Sequence, residues 1–197
     1  FGTQKQLKRD LITELGAVLS FSATTNNDKV GVIFFSDRVE KYIPPKKGKG
    51  HILRIIRELI ALEPNSRDTN VGVALEFLNN VLKKRSITFL LSDFVSRPYD
   101  QALQLAARKH DLVGIHVYDK TDKELPMAGL VQVVDSETGT AMWVDTDDRS
   151  VRMRYGAAFD EKYKYCTQVF RRSGASLLHV RTDEDYVKVL QGYFKSR

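Results

Sequence analysis

The chain has 197 residues, of which 42% are apolar, so it is long enough to bury a substantial hydrophobic core. Its 31 Lys and Arg residues exceed its 25 Asp and Glu residues, and the net charge of +6 favours an acidic partner, nucleic acid or an anionic membrane surface without identifying which. Cys166 is the only cysteine, which excludes an internal disulfide and a zinc site built from several thiolates and suits a reducing compartment.

Hydrophobic periodicity predicts helices and strands that alternate along the chain. In chain order they are a helix over 4–24, strands over 30–35 and 39–43, helices over 51–62 and 71–82, a strand over 87–91, a helix over 99–109, a strand over 112–118, a hairpin over 131–134 and 141–144, a helix with an apolar stripe over 159–170, a strand over 175–180 and a final helix from Thr182. This alternation predicts an α/β fold with a doubly wound, mostly parallel sheet of the Rossmann type. With no repeat or long linker, we predict one domain over 1–197.

The start of the chain adds detail to this fold. Thr3 and Gln6 are placed as a capping box for the first helix. The near-continuous apolar run 30–35 predicts a strand covered on both faces, as in a parallel sheet. The short connection to 39–43 favours an antiparallel strand at the sheet edge, which Pro44-Pro45 should end. Because a βαβ unit needs a strand before its first helix, we expect the first central strand to be missing from this sequence.

Two polar pairs lie where an open α/β sheet binds its ligands, beyond the carboxyl ends of the strands. Ser92-Asp93 follow the strand 87–91, and Thr69-Asn70 precede the helix 71–82. The hydroxyl of Thr69 and the carboxylate of Asp93 are hard oxygen ligands suited to magnesium or manganese. Spacing alone favours simpler roles, a helix cap for the threonine and a turn for the aspartate.

Motifs spread over essentially the whole chain carry a family resemblance. They are Asn27–Asp37, Ile43–Gly48, Asp68–Leu75, Leu91–Phe94 and Arg181–Tyr186. Together they resemble the bacterial domain-of-unknown-function family 58, whose members are von Willebrand factor A-like. The resemblance implies that fold, and it implies a MoxR-type AAA+ ATPase or its client as the partner, in the assembly or activation of protein complexes.

The resemblance also implies a metal-ion-dependent adhesion site. That site uses a D-x-S-x-S segment, a later threonine and a later aspartate; Thr69 matches the threonine and Asp93 the aspartate, whereas Asn70 stands where relatives often have aspartate. The D-x-S-x-S segment would precede Phe1, so the site is incomplete in this sequence. Magnesium demands near-octahedral geometry, so we expect weak or absent metal binding by this chain alone. In the intact protein, the metal would bridge to a partner's carboxylate.

Side chains at the rim of this site are further candidates, namely Ser36, Asp37, Asn70 and Ser92. A tight hairpin turn explains Ser36-Asp37 better than a binding role. Elsewhere, His116 and Cys166 are predicted to pack in the core, and Trp143 is either a contact anchor or a cap on the core edge.

These observations predict a non-catalytic protein-interaction module and not an enzyme. One alternative is a magnesium-dependent phosphohydrolase that uses Asp93, which would need more carboxylates around the metal. The other is a basic nucleic-acid-binding domain, for which no stacking-aromatic or recognition-helix signature is present. No apolar run reaches the roughly 18 residues that span a bilayer, and the first residues lack a signal peptide's apolar core, so we expect a cytoplasmic protein.

Overall fold

The computed structural model describes residues 7–66, 68–134 and 140–196. Its elements are α1 (Lys8–Thr25), β1 (Val30–Phe35), β2 (Val39–Lys46), α2 (Lys49–Ala61), α3 (Val71–Val81), β3 (Ile87–Ser92), α4 (Asp100–Lys109), β4 (Asp111–Tyr118), α5 (Lys120–Lys123), β5 (Leu130–Val134), β6 (Ala141–Asp145), α6 (Arg149–Ser173), β7 (Ser176–Arg181) and α7 (Tyr186–Lys195). They form two compact units. The first contains Leu7, Lys8, Thr88–Val95 and the described residues from Leu112 onwards, and the second contains Arg9–Ile87 and Ser96–Asp111.

The first unit is built on a three-stranded sheet with the order β3-β4-β7. β4 pairs with β7 in parallel, from Val113 opposite Ser176 to Tyr118 opposite Arg181. β4 is buried along nearly its whole length, as expected for a central strand of an α/β sheet. Parallel pairing is therefore confirmed for this part of the chain, whereas a doubly wound arrangement stays a prediction.

The long helix α6 packs its apolar stripe in the same unit. Cys166, Val169 and Phe170 are buried, which confirms that this stripe, including its cysteine, belongs to the core. The helix ends at Gly174, whose φ of 69° is the left-handed conformation that glycine adopts without strain. The predicted end near 173–174 is therefore confirmed.

The last helix begins later than its sequence pattern predicts. Thr182 was the expected first residue, but α7 begins at Tyr186 with Asp185 as its N-cap. The hydroxyl of Thr182 instead donates a hydrogen bond to Asp119, which is fully buried at the end of β4. This bond holds the end of β7 against the end of β4 and delays the helix. The single-turn helix α5, which follows Asp119, has no counterpart among the predicted elements.

The hairpin predicted between β4 and α6 is confirmed. β5 and β6 pair antiparallel, with Leu130 opposite Asp145 and Val134 opposite Ala141. The predicted turn residues 136–139 lie outside the described residues. Within the described part of the chain, these two strands form a sheet of their own.

The second unit contains the other hairpin. β1 and β2 pair antiparallel, which confirms the predicted hairpin, but within the described residues they form a two-stranded sheet of their own. The prediction that Pro44-Pro45 end the strand is wrong, because β2 continues to Lys46. An edge strand tolerates proline because its outer backbone groups need no partner in the sheet. The prediction that β1 is covered on both faces is also wrong, since its residues are mostly half-buried.

One hydrophobic cluster of the second unit lies between its hairpin and α2. Ile43 of β2 packs with Ile52 and Ile55 of α2, and half-buried β1 side chains surround them. α1 is described from Lys8, so the predicted capping box of Thr3 and Gln6 lies outside the described residues. Among the helices described in both units, none has the length and apolar content needed to cross a bilayer.

Candidate functional site

Asp93 lies directly after β3, at the carboxyl end of the strand. Its Oδ1 atom accepts a hydrogen bond from the Val95 backbone N–H at 3.2 Å. Its Oδ2 atom lies 3.4 Å from Nζ of Lys8, and 35% of the side chain is exposed. One carboxylate oxygen therefore organises the turn, and the other faces a cationic group.

The turn that presents Asp93 is held by its neighbours. Phe94 adopts a positive φ of 55°, an uncommon conformation for a bulky residue. Its ring is buried and packs edge-on against Phe170, with ring centroids 5.2 Å apart. Its N–H donates to Oγ of buried Ser92 at 3.0 Å. Ser92, one of the rim candidates, is therefore a buried residue that stabilises this turn.

Lys8 is a site residue that the sequence does not reveal. Its ammonium lies between two carboxylates, 3.4 Å from Asp93 and 3.1 Å from Asp122. Burial disfavours the charged amine, but Asp93 and Asp122 outweigh that effect and raise the pKa of Lys8 above its usual value. Asp93 and Asp122 are separated from Lys8 by 85 and 114 positions in the sequence, so only tertiary folding brings the three residues together.

Two histidines lie in the same unit and belong to an aromatic cluster. His116 of β4 and His179 of β7 face each other in register, with their Nδ1 atoms 3.0 Å apart. The ring of His179 stacks on Tyr163 at 4.3 Å, and that of His116 stacks on Tyr118 at 5.2 Å. His116 is buried, as predicted. The pairing with His179 has no sequence signal, because it depends on the register of two strands.

Thr69 and Asn70 lie in the second unit, at the start of α3. The N-cap of α3 is Asn70, whose Oδ1 atom accepts the Val73 N–H at 3.3 Å. The capping role that spacing favours for Thr69 therefore falls to its neighbour. Within the described residues, the Thr69 hydroxyl makes no hydrogen bond. The backbone N–H of Thr69 donates a hydrogen bond to Asp68 Oδ1 at 2.8 Å.

Ser36 and Asp37 form the turn between β1 and β2, also in the second unit. The hydroxyl of buried Ser36 donates to Glu40 Oε1 at 2.5 Å, and its carbonyl accepts the Asn70 N–H at 2.8 Å. A hydrogen bond from Arg38 lowers the pKa of Asp37. The structure therefore brings two of the rim candidates, Ser36 and Asn70, together through their backbones.

The donor chemistry of the two predicted ligands suits a hard divalent cation, although each belongs to a different unit. Asp93 offers a partly exposed carboxylate and Thr69 a hydroxyl, which are oxygen ligands of the kind magnesium prefers. Lys8 is a competitor, because its ammonium neutralises the same oxygen of Asp93 that would bind a metal. Among the residues described, no group of three or more His, Cys, Asp or Glu side chains is arranged to hold a metal.

Comparison with known families agrees with the motifs around these residues. The family model described as "Protein of unknown function DUF58" matches residues 1–165. The chain belongs to this family. The match includes both Thr69 and Asp93, and it confirms the resemblance seen in the sequence motifs.

Relatives of this DUF58 chain occur in mycobacteria. The uncharacterized protein Rv1480 of Mycobacterium tuberculosis and the uncharacterized protein Mb1516 of Mycobacterium bovis are each 26% identical over 200 residues, and the match takes in 100% of the chain. The chain spans only 63% of the length of these two relatives. The uncharacterized protein MAV169 of Mycobacterium avium is 27% identical over 159 residues, which is 79% of the chain and 93% of that protein.

A solved structure has a similar fold. The crystal structure of the conserved hypothetical protein BatB from Bacteroides thetaiotaomicron matches with a TM-score of 0.64 at 14% sequence identity, over 95% of this chain and 87% of that one. At this identity, the similarity is evidence for the fold of the DUF58 chain and for nothing more specific.

Proposed function

We propose that this DUF58 chain is a non-catalytic protein-interaction module with a von Willebrand factor A-type fold. In the intact protein, Thr69 and Asp93 would hold a magnesium or manganese ion, together with an oxygen-rich segment of the D-x-S-x-S type that is not found within these 197 residues. Such a cation would supply an open coordination position to a carboxylate of the partner. The partner that the family resemblance implies is a MoxR-type AAA+ ATPase or its client.

The capping of α3 is the observation that supports this function most directly. A threonine before a helix usually acts as a cap, which would use up its hydroxyl. Here Asn70 accepts the hydrogen bond from the third residue of α3 instead. The Thr69 hydroxyl is therefore available, within the described residues, for a ligand outside the helix.

The environment of Asp93 gives further support. Its side chain is held in place by the turn at Val95, which leaves Oδ2 pointed at a positive charge. A carboxylate that is held in one orientation and partly exposed is suited to bind a metal ion once the competing ammonium of Lys8 moves away. Lys8 would then act as the resident counter-ion that a metal ion displaces.

Binding of a MoxR-type ATPase to the intact protein tests this function. We expect binding in millimolar magnesium and its loss in chelator, in Asp93→Ala and in Thr69→Val. Thr69→Ser, which keeps the hydroxyl, is the matched control and should bind like the wild type. Binding that persists in chelator, or that is equal in Thr69→Val and Thr69→Ser, would contradict the proposed role of the metal.

A further inference from the structure

The β5–β6 hairpin presents an apolar face to solvent. Residues directly opposite each other in an antiparallel pair share one face, and side chains alternate between faces along each strand. The register therefore places Leu130, Val134 and Trp143 on the same face, together with Gln132, Ala141 and Asp145. The side chains of Leu130, Val134 and Trp143 are 65%, 50% and 65% exposed. We call this face the Trp143 face.

The opposite face of the hairpin contains Val131, Val133, Met142 and Val144. The three valines are half-buried, whereas Met142 is 57% exposed. An ordinary two-stranded hairpin has one apolar and one polar face. Here the Trp143 face exposes three large apolar side chains beside Gln132 and Asp145, and it includes the single tryptophan of the chain. Contiguous exposed apolar groups with a tryptophan are typical of interaction surfaces.

The base of the hairpin is fixed by hydrogen bonds. Thr146 is buried, and its hydroxyl accepts the Ala128 N–H at 2.9 Å and donates to the Gly129 carbonyl at 2.8 Å. The guanidinium of Arg152 donates to the Thr146 carbonyl at 2.6 Å. These bonds fix the base of the hairpin, and a fixed backbone lowers the entropy lost on binding.

The charge of the hairpin differs from that of the rest of the chain. The segment 127–148 contains five acidic residues and no lysine or arginine, whereas the other 175 residues contain 31 basic and 20 acidic residues. Asp145, on the Trp143 face, and Asp147 are both exposed, and within the described residues neither of them forms an ion pair with lysine or arginine. A local excess of negative charge attracts cationic partners and repels anionic lipid.

We propose that the Trp143 face docks a basic, amphipathic segment of a protein partner. Apolar side chains of that segment pack on Trp143 and Leu130, and its lysines or arginines lie beside Asp145 and Asp147. The negative charge selects against an anionic membrane surface as the occupant. This surface is independent of the metal-dependent site proposed at Thr69 and Asp93, and it needs no cation.

The single tryptophan makes the surface measurable in the 197-residue chain. The probes are two synthetic peptides of equal length, one alternating leucine with lysine and the other alternating leucine with glutamate. We expect the lysine peptide to shift the Trp143 emission to shorter wavelength in a saturable way, and the glutamate peptide to give no shift. Equal binding of both peptides, or no shift with either, would overturn the proposal.

Two variants separate the apolar and the charged contributions. Leu130→Ser should weaken binding of the lysine peptide about tenfold through lost apolar contact. The double variant Asp145→Asn, Asp147→Asn keeps the hydrogen-bond acceptors of the hairpin and should also weaken binding about tenfold. Its matched control removes two acidic charges from α6, Asp160→Asn with Glu161→Gln, and should bind like the wild type. An equal loss in the control would show that only net charge matters and would overturn the proposal.

Two further measurements distinguish other occupants. Vesicles of phosphatidylcholine with phosphatidylglycerol should leave the Trp143 emission unchanged; a blue shift with them would assign the surface to a membrane instead. Sedimentation of the chain without peptide should give a monomer with its tryptophan exposed. A dimer that Leu130→Ser dissociates would assign the surface to a second copy and overturn the proposal.

Discussion

The histidine pair makes the stability of this protein sensitive to mild acid. His116 is only 5% exposed, and burial lowers its pKa to about 3. The positive charges of His179 and Lys8 act in the same direction, while a backbone hydrogen bond with Asp93 opposes them. Burial also lowers the pKa of His179. Since the two Nδ1 atoms are 3.0 Å apart, one ring donates and the other accepts only while at least one of them is neutral.

The size of the effect follows from the pKa of His116. The unfolded chain takes up the proton near the ordinary value of 6.5, whereas the folded protein resists it down to about 3. The unfolded state therefore binds more protons in this window, so stability is fully present above pH 6.5 and is lost as the pH falls towards 3. At about 1.4 kcal/mol per pH unit, His116 alone lowers the free energy of unfolding by about 2 kcal/mol at pH 5.

Urea denaturation at pH 7.5 and pH 5 measures this loss. We expect the wild type to lose about 2 kcal/mol or more between the two pH values, because few carboxylates titrate in that range. His116→Phe should lose clearly less, whatever its stability at pH 7.5. His51→Gln, which removes a histidine of the other unit, is the control and should behave like the wild type. Equal losses of unfolding free energy in His116→Phe and the wild type would show that His116 does not cause the acid sensitivity.

Substitutions at three other positions test the packing, the helix cap and the ion pairs described above. Gly114→Ala should lower the free energy of unfolding by about 1 to 3 kcal/mol in urea, because its Cβ would lie 2.5 Å from the buried ring of Phe170; no loss would contradict the tight packing of β4. Asn70→Ala should lower it by about 1 kcal/mol and Asn70→Asp should restore it, and equal stabilities would remove the asparagine from its capping role. Lys8→Met should cost about 1 kcal/mol or less in low salt, with a smaller effect in high salt, and a salt-independent loss would contradict its ion pairs with Asp93 and Asp122.

The order of helices and strands was largely predictable because most elements bury one clear apolar pattern. β1 was predicted over 30–35 and occupies the same residues, and β3 differs by one residue at its end. The errors have local causes. β2 passes through Pro44-Pro45 because it is an edge strand, and α7 begins four residues late because Thr182 binds Asp119.

Of the candidate site, the sequence could predict only the residue after a strand and the residue before a helix. The sequence placed Asp93 after a strand and Thr69 before a helix, and the structure has them there. It could not reveal Lys8, which reaches Asp93 across 85 positions of sequence. It also left open which residue caps α3, because threonine and asparagine are both good caps and stand next to each other.

The exposed hairpin illustrates what sequence patterns leave undecided. The sequence leaves two roles open for Trp143, a contact anchor or a cap on the core edge. The register of β5 and β6 places Trp143 on the same face as Leu130, and its side chain is 65% exposed, which argues against the cap. Exposure of this kind depends on which face of the hairpin packs inwards, and alternating apolar residues on both faces cannot specify that.

Binding of manganese to the intact protein tests the proposed metal roles of Thr69 and Asp93. Electron paramagnetic resonance of free manganese gives the bound fraction as protein is titrated. We expect one saturable site that is lost in Asp93→Ala and in Thr69→Val and kept in Thr69→Ser. Manganese binding that is unchanged in both Asp93→Ala and Thr69→Val would contradict it.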